Sequence, residues 1–216
     1  EIVVSLEEQP KNWLPVSARS TMIQARDVLA DRHDQQPAHI TIEPIGPTRR
    51  RGPLTGDRFM SSLETMTQEL AAGPAKGAGF TDRLKASSFN TFEPMRPDAG
   101  SGGAYPKQIY VYGYWELGAH EALVVELDLP ECRYWNLHLC NHWSESLDYA
   151  YHRTSINSRT AQIDGNGQLR VVIAHTDPGE PNWLDTAHHG HGTMVFRFLH
   201  CDSAPVPKTH LQDFSS

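Results

Sequence analysis

Long hydrophobic runs, an excess of positive charge and a pairing pattern among cysteines are all missing from this chain, and each gap removes a class of protein. No apolar stretch approaches the roughly 20 residues that a membrane span needs, so a soluble protein with no membrane partner is expected. Acidic residues outnumber basic ones, 26 to 19, for a formal charge of −7, which argues against a general electrostatic grip on nucleic acid. The one basic cluster, Arg49, Arg50 and Arg51, lies between Pro47 and Pro53 and reads as a solvated loop. Three cysteines, Cys132, Cys140 and Cys201, cannot all pair and form no CxxC, which favours a reducing compartment such as the cytoplasm. Ser144 and Ser146 lack a GxSxG setting, Cys140 lacks an activating signature, and there is neither a phosphate-cradling glycine loop nor a solenoid repeat. The chain opens at Glu1 without a methionine or a signal peptide, as the C-terminal part of a longer precursor or family member would.

What the chain does contain is strand-like. Its 38% of hydrophobic residues fall in short runs, the pattern of half-buried strands, and 216 residues suit one domain with one core. Strands are expected over residues 2–6, 20–29, 39–45, 109–116, 120–129, 134–143, 155–163, 169–176 and 193–200. In the 109–116 run Tyr110, Tyr112 and Tyr114 alternate with Ile109, Val111 and Trp115. In the 134–143 run Trp135, Leu137, Leu139 and Trp143 form the core set, leaving Asn136, His138, Cys140 and His142 opposite. Asp164-Gly165-Asn166-Gly167 signals a hairpin between its flanking runs. Only residues 57–72 change period, with Phe59, Leu63, Met66 and Leu70 at helical spacing and Gly73-Pro74 as a stop; a shorter helix follows over 81–87. The Ala99–Ala104 run is a flexible seam, and the tail after Cys201 lies along the surface. The fold class is therefore mainly β: one antiparallel β-sandwich of jelly-roll type over residues 1–216, with a helical insertion at about residues 57–88 inside the 55–98 segment.

Chemistry-bearing residues concentrate in Asp177–Gly192, where Pro178, Gly179 and Pro181 forbid a regular helix or central strand. Three readings follow. A metal site would draw on His138, Cys140 and His142, which share a strand face, with His189 and His191 approaching from the loop; such ligands suit zinc or another divalent transition metal. Against it stands a plain solvated face with Cys140 as a small filler. Acid–base work would use His142, His175 or His189 oriented by Asp177 or Asp185, whereas both aspartates also suit turn capping. Aromatic recognition would use Tyr110, Tyr112 and Tyr114 with Asn182, Trp183 and Arg197 as ligand contacts, against cross-strand pairing, end plugs and loop ties.

The run DPGxPNWLDT at Asp177–Thr186, followed by Gly192 and a strand carrying Arg197, together with CNHWxESLDY at Cys140–Tyr149 and the early NWLP, resembles the family called domain of unknown function 1214. The resemblance covers roughly residues 100–200 well and the first hundred loosely. It implies a jelly-roll-like β-sandwich with a helical insertion and brings no activity with it. Typical members carry a glycine near His188, so the HHGH run departs from the family pattern. The reading is a pocket formed by the 134–143 strand, the 109–116 strand and the 177–192 loop. It would handle a small polar or carbohydrate-like ligand by lyase, hydrolase or isomerase chemistry, with or without a metal. The alternatives are a non-catalytic module binding a ligand or partner chain, and a structural domain; a homo-oligomer is compatible with each.

Overall fold

Backbone groups that find a neighbouring strand become sheet, and those that do not are satisfied locally; this distinction separates the two halves of the chain. The computed structural model describes residues 1–31, 34–47, 52–94, 108–203 and 205–214. The arginine cluster 49–51 and the glycine-rich seam 99–104 lie outside the described residues. Near the N-terminus β1 (Val3–Ser5) and β2 (Trp13–Pro15) form a small parallel pair, held also by the Trp13 indole N–H donating to the Ser5 carbonyl at 3.1 Å.

The strands expected over 20–29 and 39–45 do not form. Their alternation meets no partner edge, and Ile40, Ile42 and Ile45 stay exposed. Side chains take the backbone donors instead: the Gln35 amide oxygen accepts from Ala30 and Asp31, and the Asp27 carboxylate from Ala38. Nor are there two helices. A single helix, α1 (Gly56–Ser87), runs through Pro74. Proline removes one backbone bond, yet the flanking Ala71, Ala72, Ala75 and Lys76 are good helix formers and carry the helix onward. Thr55 caps its start, accepting from the Arg58 N–H at 3.3 Å, with Asp57 in the first turn and Lys85 in the last. Of the apolar stripe, Phe59, Met66 and Leu70 remain exposed; the helix buries Thr81 and Leu84 near its C-terminal end instead.

The remaining strands make two larger sheets. β3 (Thr91–Pro94), β4 (Gln108–Glu116), β10 (His191–Leu199), β6 (Tyr134–Cys140) and β7 (Ser155–Asn157) form one, in that order. β11 (Lys208–Asp213), β5 (Glu121–Asp128), β8 (Gln168–Ala174) and β9 (Trp183–Asp185) form the other. One apolar cluster draws on both: Val111, Trp115, Leu137, Leu139, Met194, Phe196 and Phe198 from the first, Leu123, Val125, Leu127, Val171, Ile173 and Leu184 from the second. The protein is thus mainly β, with three sheets and a single helix among the described residues. Two glycines permit the close strand contacts: a Cβ on Gly192 would lie 1.9 Å from the Cys140 carbonyl oxygen, and one on Gly113 2.2 Å from that of Thr91.

Five details depart from expectation. The second sheet is mixed, because β9 pairs with β8 in parallel. Asp164–Gly167 does turn, with Asp164 Oδ1 accepting from Asn166 and Gln168, but it joins two sheets and makes no hairpin, since β7 pairs with β6. Asn157 ends β7 by accepting the Arg159 and Thr160 N–H groups. The tail includes β11, a full partner of β5. Trp143 is exposed, because Asn141 accepts the Trp143 and Glu145 N–H groups and turns the chain before the expected strand ends.

Candidate functional site

With Phe196, Phe198, Leu137 and Leu139 in the core, alternation turns Arg197, Val195 and Thr193 of β10 and Asn136, His138 and Cys140 of β6 to the outer face of the five-stranded sheet. Register sets them in rows: Asn157, Asn136, Arg197 and Tyr110; Ser155, His138, Val195 and Tyr112; Cys140, Thr193 and Tyr114. The end of α1 covers β4, where Phe80 meets Tyr112 edge-on at 5.2 Å. Residues 27–31 reach β7, where Asn157 Nδ2 donates to the Ala30 carbonyl at 2.7 Å. Over β6, between these two covers, lies an open hollow of about 610 Å³ bordered by Tyr134, Asn136, His138, Tyr151, His152 and Asn157.

This is not the pocket outlined from the sequence. Neither the 109–116 strand nor the 177–192 loop borders the hollow; the 149–157 segment and residues 27–31 do. His152 was not singled out, and it is hydrogen-bonded to a carboxylate: its Nδ1 lies 2.7 Å from Asp185 Oδ2, with both side chains largely shielded from solvent. The His188 ring stands edge-on to it at 5.5 Å. The signal available for it was the polar-aromatic run Tyr149-Ala150-Tyr151-His152-Arg153, which follows the CNHW stretch and belongs to no strand.

The other expected residues are dispersed. His142, in the turn after β6, faces His191 at the start of β10 at 5.9 Å and Tyr114 at 6.5 Å, with Asp82 of α1 3.8 Å away. His175 is tied by Nδ1 to the Thr186 hydroxyl at 2.7 Å, with its Nε2 3.4 Å from the Leu117 carbonyl. Asp177 caps its own turn, accepting the Gly179 N–H at 2.8 Å. His189 Nδ1 contacts the Ala187 carbonyl at 2.9 Å. Asn182 is buried, bonding Gln162 and Arg170 backbone, and is a loop tie as weighed. Trp183 donates to the Ala174 carbonyl and packs on the outer side of the four-stranded sheet, not at an end of the core. Tyr110 and Tyr112 stack at 5.7 Å, while Tyr114 is fully buried. Among the described residues, no three of His, Cys, Asp or Glu are grouped so as to hold a metal ion; of His138, Cys140, His142, His189 and His191, the His142 and His191 rings face one another.

Electrostatics follow from burial. Desolvation, with Arg197 nearby, pulls the His138 imidazole below its ordinary value of 6.5; its Nε2 is 3.0 Å from the Ser146 hydroxyl. Desolvation pushes the Cys140 thiol up to about 11, so it is not a thiolate at neutral pH. Burial also raises the Tyr112 and Tyr134 phenols. The border of the hollow thus combines the neutral His138 and Tyr134 with the charged Asp27, Asp31 and Arg153 and with His152, which Asp185 orients from behind.

These features define a class: a β-rich domain with a shared two-sheet core and a polar, partly covered outer sheet face. Residues 117–203 match the family described as "Protein of unknown function (DUF1214)". In the crystal structure of an uncharacterised protein from Burkholderia cenocepacia, 98% of this chain aligns at 30% identity with a TM-score of 0.85. The chain spans 59% of that protein's length. A Vibrio parahaemolyticus protein aligns over 53% of this chain and 33% of its own at 16% identity and a TM-score of 0.42. Comparison with curated proteins found no match. No helix among the described residues is long and apolar enough to cross a membrane.

Proposed function

We propose that the hollow over β6 takes a small polar or carbohydrate-like ligand and acts on it by acid–base chemistry, with His152 as the proton-transferring residue and Asp185 orienting it. The single supporting observation is the His152 Nδ1 to Asp185 Oδ2 contact of 2.7 Å at the border of a hollow of about 610 Å³. A carboxylate on Nδ1 fixes the tautomer and leaves Nε2 to exchange a proton with a ligand, as elimination, isomerisation or hydrolysis requires. His138, its affinity for protons lowered by burial, serves as a neutral hydrogen-bonding neighbour. The jelly-roll sandwich is part of this reading, since two sheets sharing one core leave the outer face of the larger one free for a ligand.

A second reading, a non-catalytic binding module, draws on a different observation. Asp185 also accepts the Ala187 N–H at 2.8 Å, and its own N–H donates to the Arg153 carbonyl at 2.9 Å, so the pair fastens the 149–153 segment to β9. Panels of lyase, isomerase and hydrolase substrates on wild type and His152→Ala separate the two. Turnover reduced by about 10²- to 10⁴-fold in the variant is the expected result, with Asp185→Asn less impaired. Turnover that survives intact in His152→Ala rules out the acid–base assignment; ligand binding without any turnover leaves the binding module.

A further inference from the structure

Arg197 stands on β10, the central strand of the five-stranded sheet, between Tyr110 on one side and Asn136 on the other. Its guanidinium lies 5.1 Å from the centre of the Tyr110 ring. Yet among the described residues it makes no ion pair and no hydrogen bond, and its Nε is closed off from solvent without a partner. The ion pairs seen among the described residues use other groups: Lys85 with Glu116, His142 with Asp82, His152 with Asp185, and Arg170 with Glu180. Across the ladder the Asn136 Oδ1 is in the same condition, buried and unpartnered, and Asn136 borders the hollow. Two adjacent orphaned groups, one donor and one acceptor, are costly to bury, and an apolar side chain of similar size would serve packing better. The ring stacking on Tyr110 offsets part of that cost and satisfies none of the N–H groups.

The chemistry of the pair specifies its complement. A guanidinium is a planar fork that matches a carboxylate through two parallel hydrogen bonds. The phenols and the imidazole around it, Tyr112, Tyr134 and His138, are shifted toward their neutral forms, so the guanidinium is the charge among them, while the border of the hollow adds Arg153 and the carboxylates Asp27 and Asp31. The free Asn136 Oδ1 accepts, so it calls for a donor on the same ligand, such as a hydroxyl. We propose that Arg197 and Asn136 bind a small hydroxylated carboxylate, of the hydroxy-acid or sugar-acid class. This rests on the reading of the β6 face as a ligand site and narrows its substrate class.

The test is calorimetric titration of D-glucuronate and of neutral D-glucose into wild type, Arg197→Met, Arg197→Lys and His152→Ala. Wild type should prefer glucuronate by about tenfold or more, Arg197→Met should lose that preference while melting no lower than wild type, and Arg197→Lys should keep part of it. His152→Ala should retain the preference, so a failure of the acid–base reading shows as unchanged turnover in that variant and leaves carboxylate binding standing. Equal affinity for the two sugars, no detectable glucuronate binding, or a preference surviving in Arg197→Met overturns the proposal. Should Arg197→Met fail to fold, Arg197→Lys decides: an undiminished preference there shows that the guanidinium fork recognises nothing.

Discussion

His188 shows how a single side chain can sit against its own backbone. Ala187 and His188 have φ of 48° and 66°, and the His189 N–H closes the turn on the Thr186 carbonyl at 3.0 Å, the geometry of a type I′ turn. Left-handed backbone costs a residue with a Cβ about 1–2 kcal/mol, and glycine avoids it. The glycine that the family resemblance places near this position therefore has a conformational reason. His188→Gly is expected to raise stability by about 1 kcal/mol in chemical denaturation, and a loss of stability would mean that the edge-on contact with His152 outweighs the strain. His138 carries the pH dependence. Its folded pKa lies below 6.5, so the unfolded chain binds the proton first, and the stabilisation of the neutral form is complete above 6.5. It is lost as pH falls from 6.5 through the folded value. Replacing His138 with Gln should flatten the unfolding free energy over that acidic window, and an unchanged pH slope would contradict the burial of the ring.

Strand contacts in the sheets leave little tolerance, and β10 shows it best. Its partners on both sides are in full register, and the ideal Cβ at position 192 falls inside the Cys140 carbonyl. Gly192→Ala must push β10 away from the end of β6, with an expected loss of about 1–3 kcal/mol or more in equilibrium unfolding; a silent substitution would show the contact to be looser than described. The strands readable in advance, β4, β5, β6, β8 and β10, are those whose alternating apolar residues enter the shared core, as Leu123, Val125 and Leu127 do. Alternation misleads where no edge exists to pair with: Ile40 and Ile42 alternate and remain exposed. The reverse holds for β11, whose polar sequence KTHLQD is a strand only because β5 offers it an edge. Pro74 misleads for a third reason, since the helix runs on through Gly73-Pro74 with Ala71, Ala72, Ala75 and Lys76 on either side.

At the scale of the molecule, the candidate site is a matter of long-range register, and this is why only its parts were legible. Asn136, His138 and Arg197 could be assigned to the outer face by counting twos, and Asp185 by its place in a polar loop. Pairing Asp185 of β9 with His152 of the 149–153 segment joins residues 33 apart, and no local pattern announces it. The same distance defeats the histidine-rich loop as a centre: His175, Asp177 and His189 each satisfy a nearby group and converge on nothing. The proposed site therefore lies on the covered outer face over β6. Backbone amide shift mapping on titration with D-glucuronate tests that placement most directly. Perturbations should cluster at Asn136, His138, His152 and Arg197; perturbations confined to the His142–His191 end or to the 177–192 loop, or none at all, would contradict it.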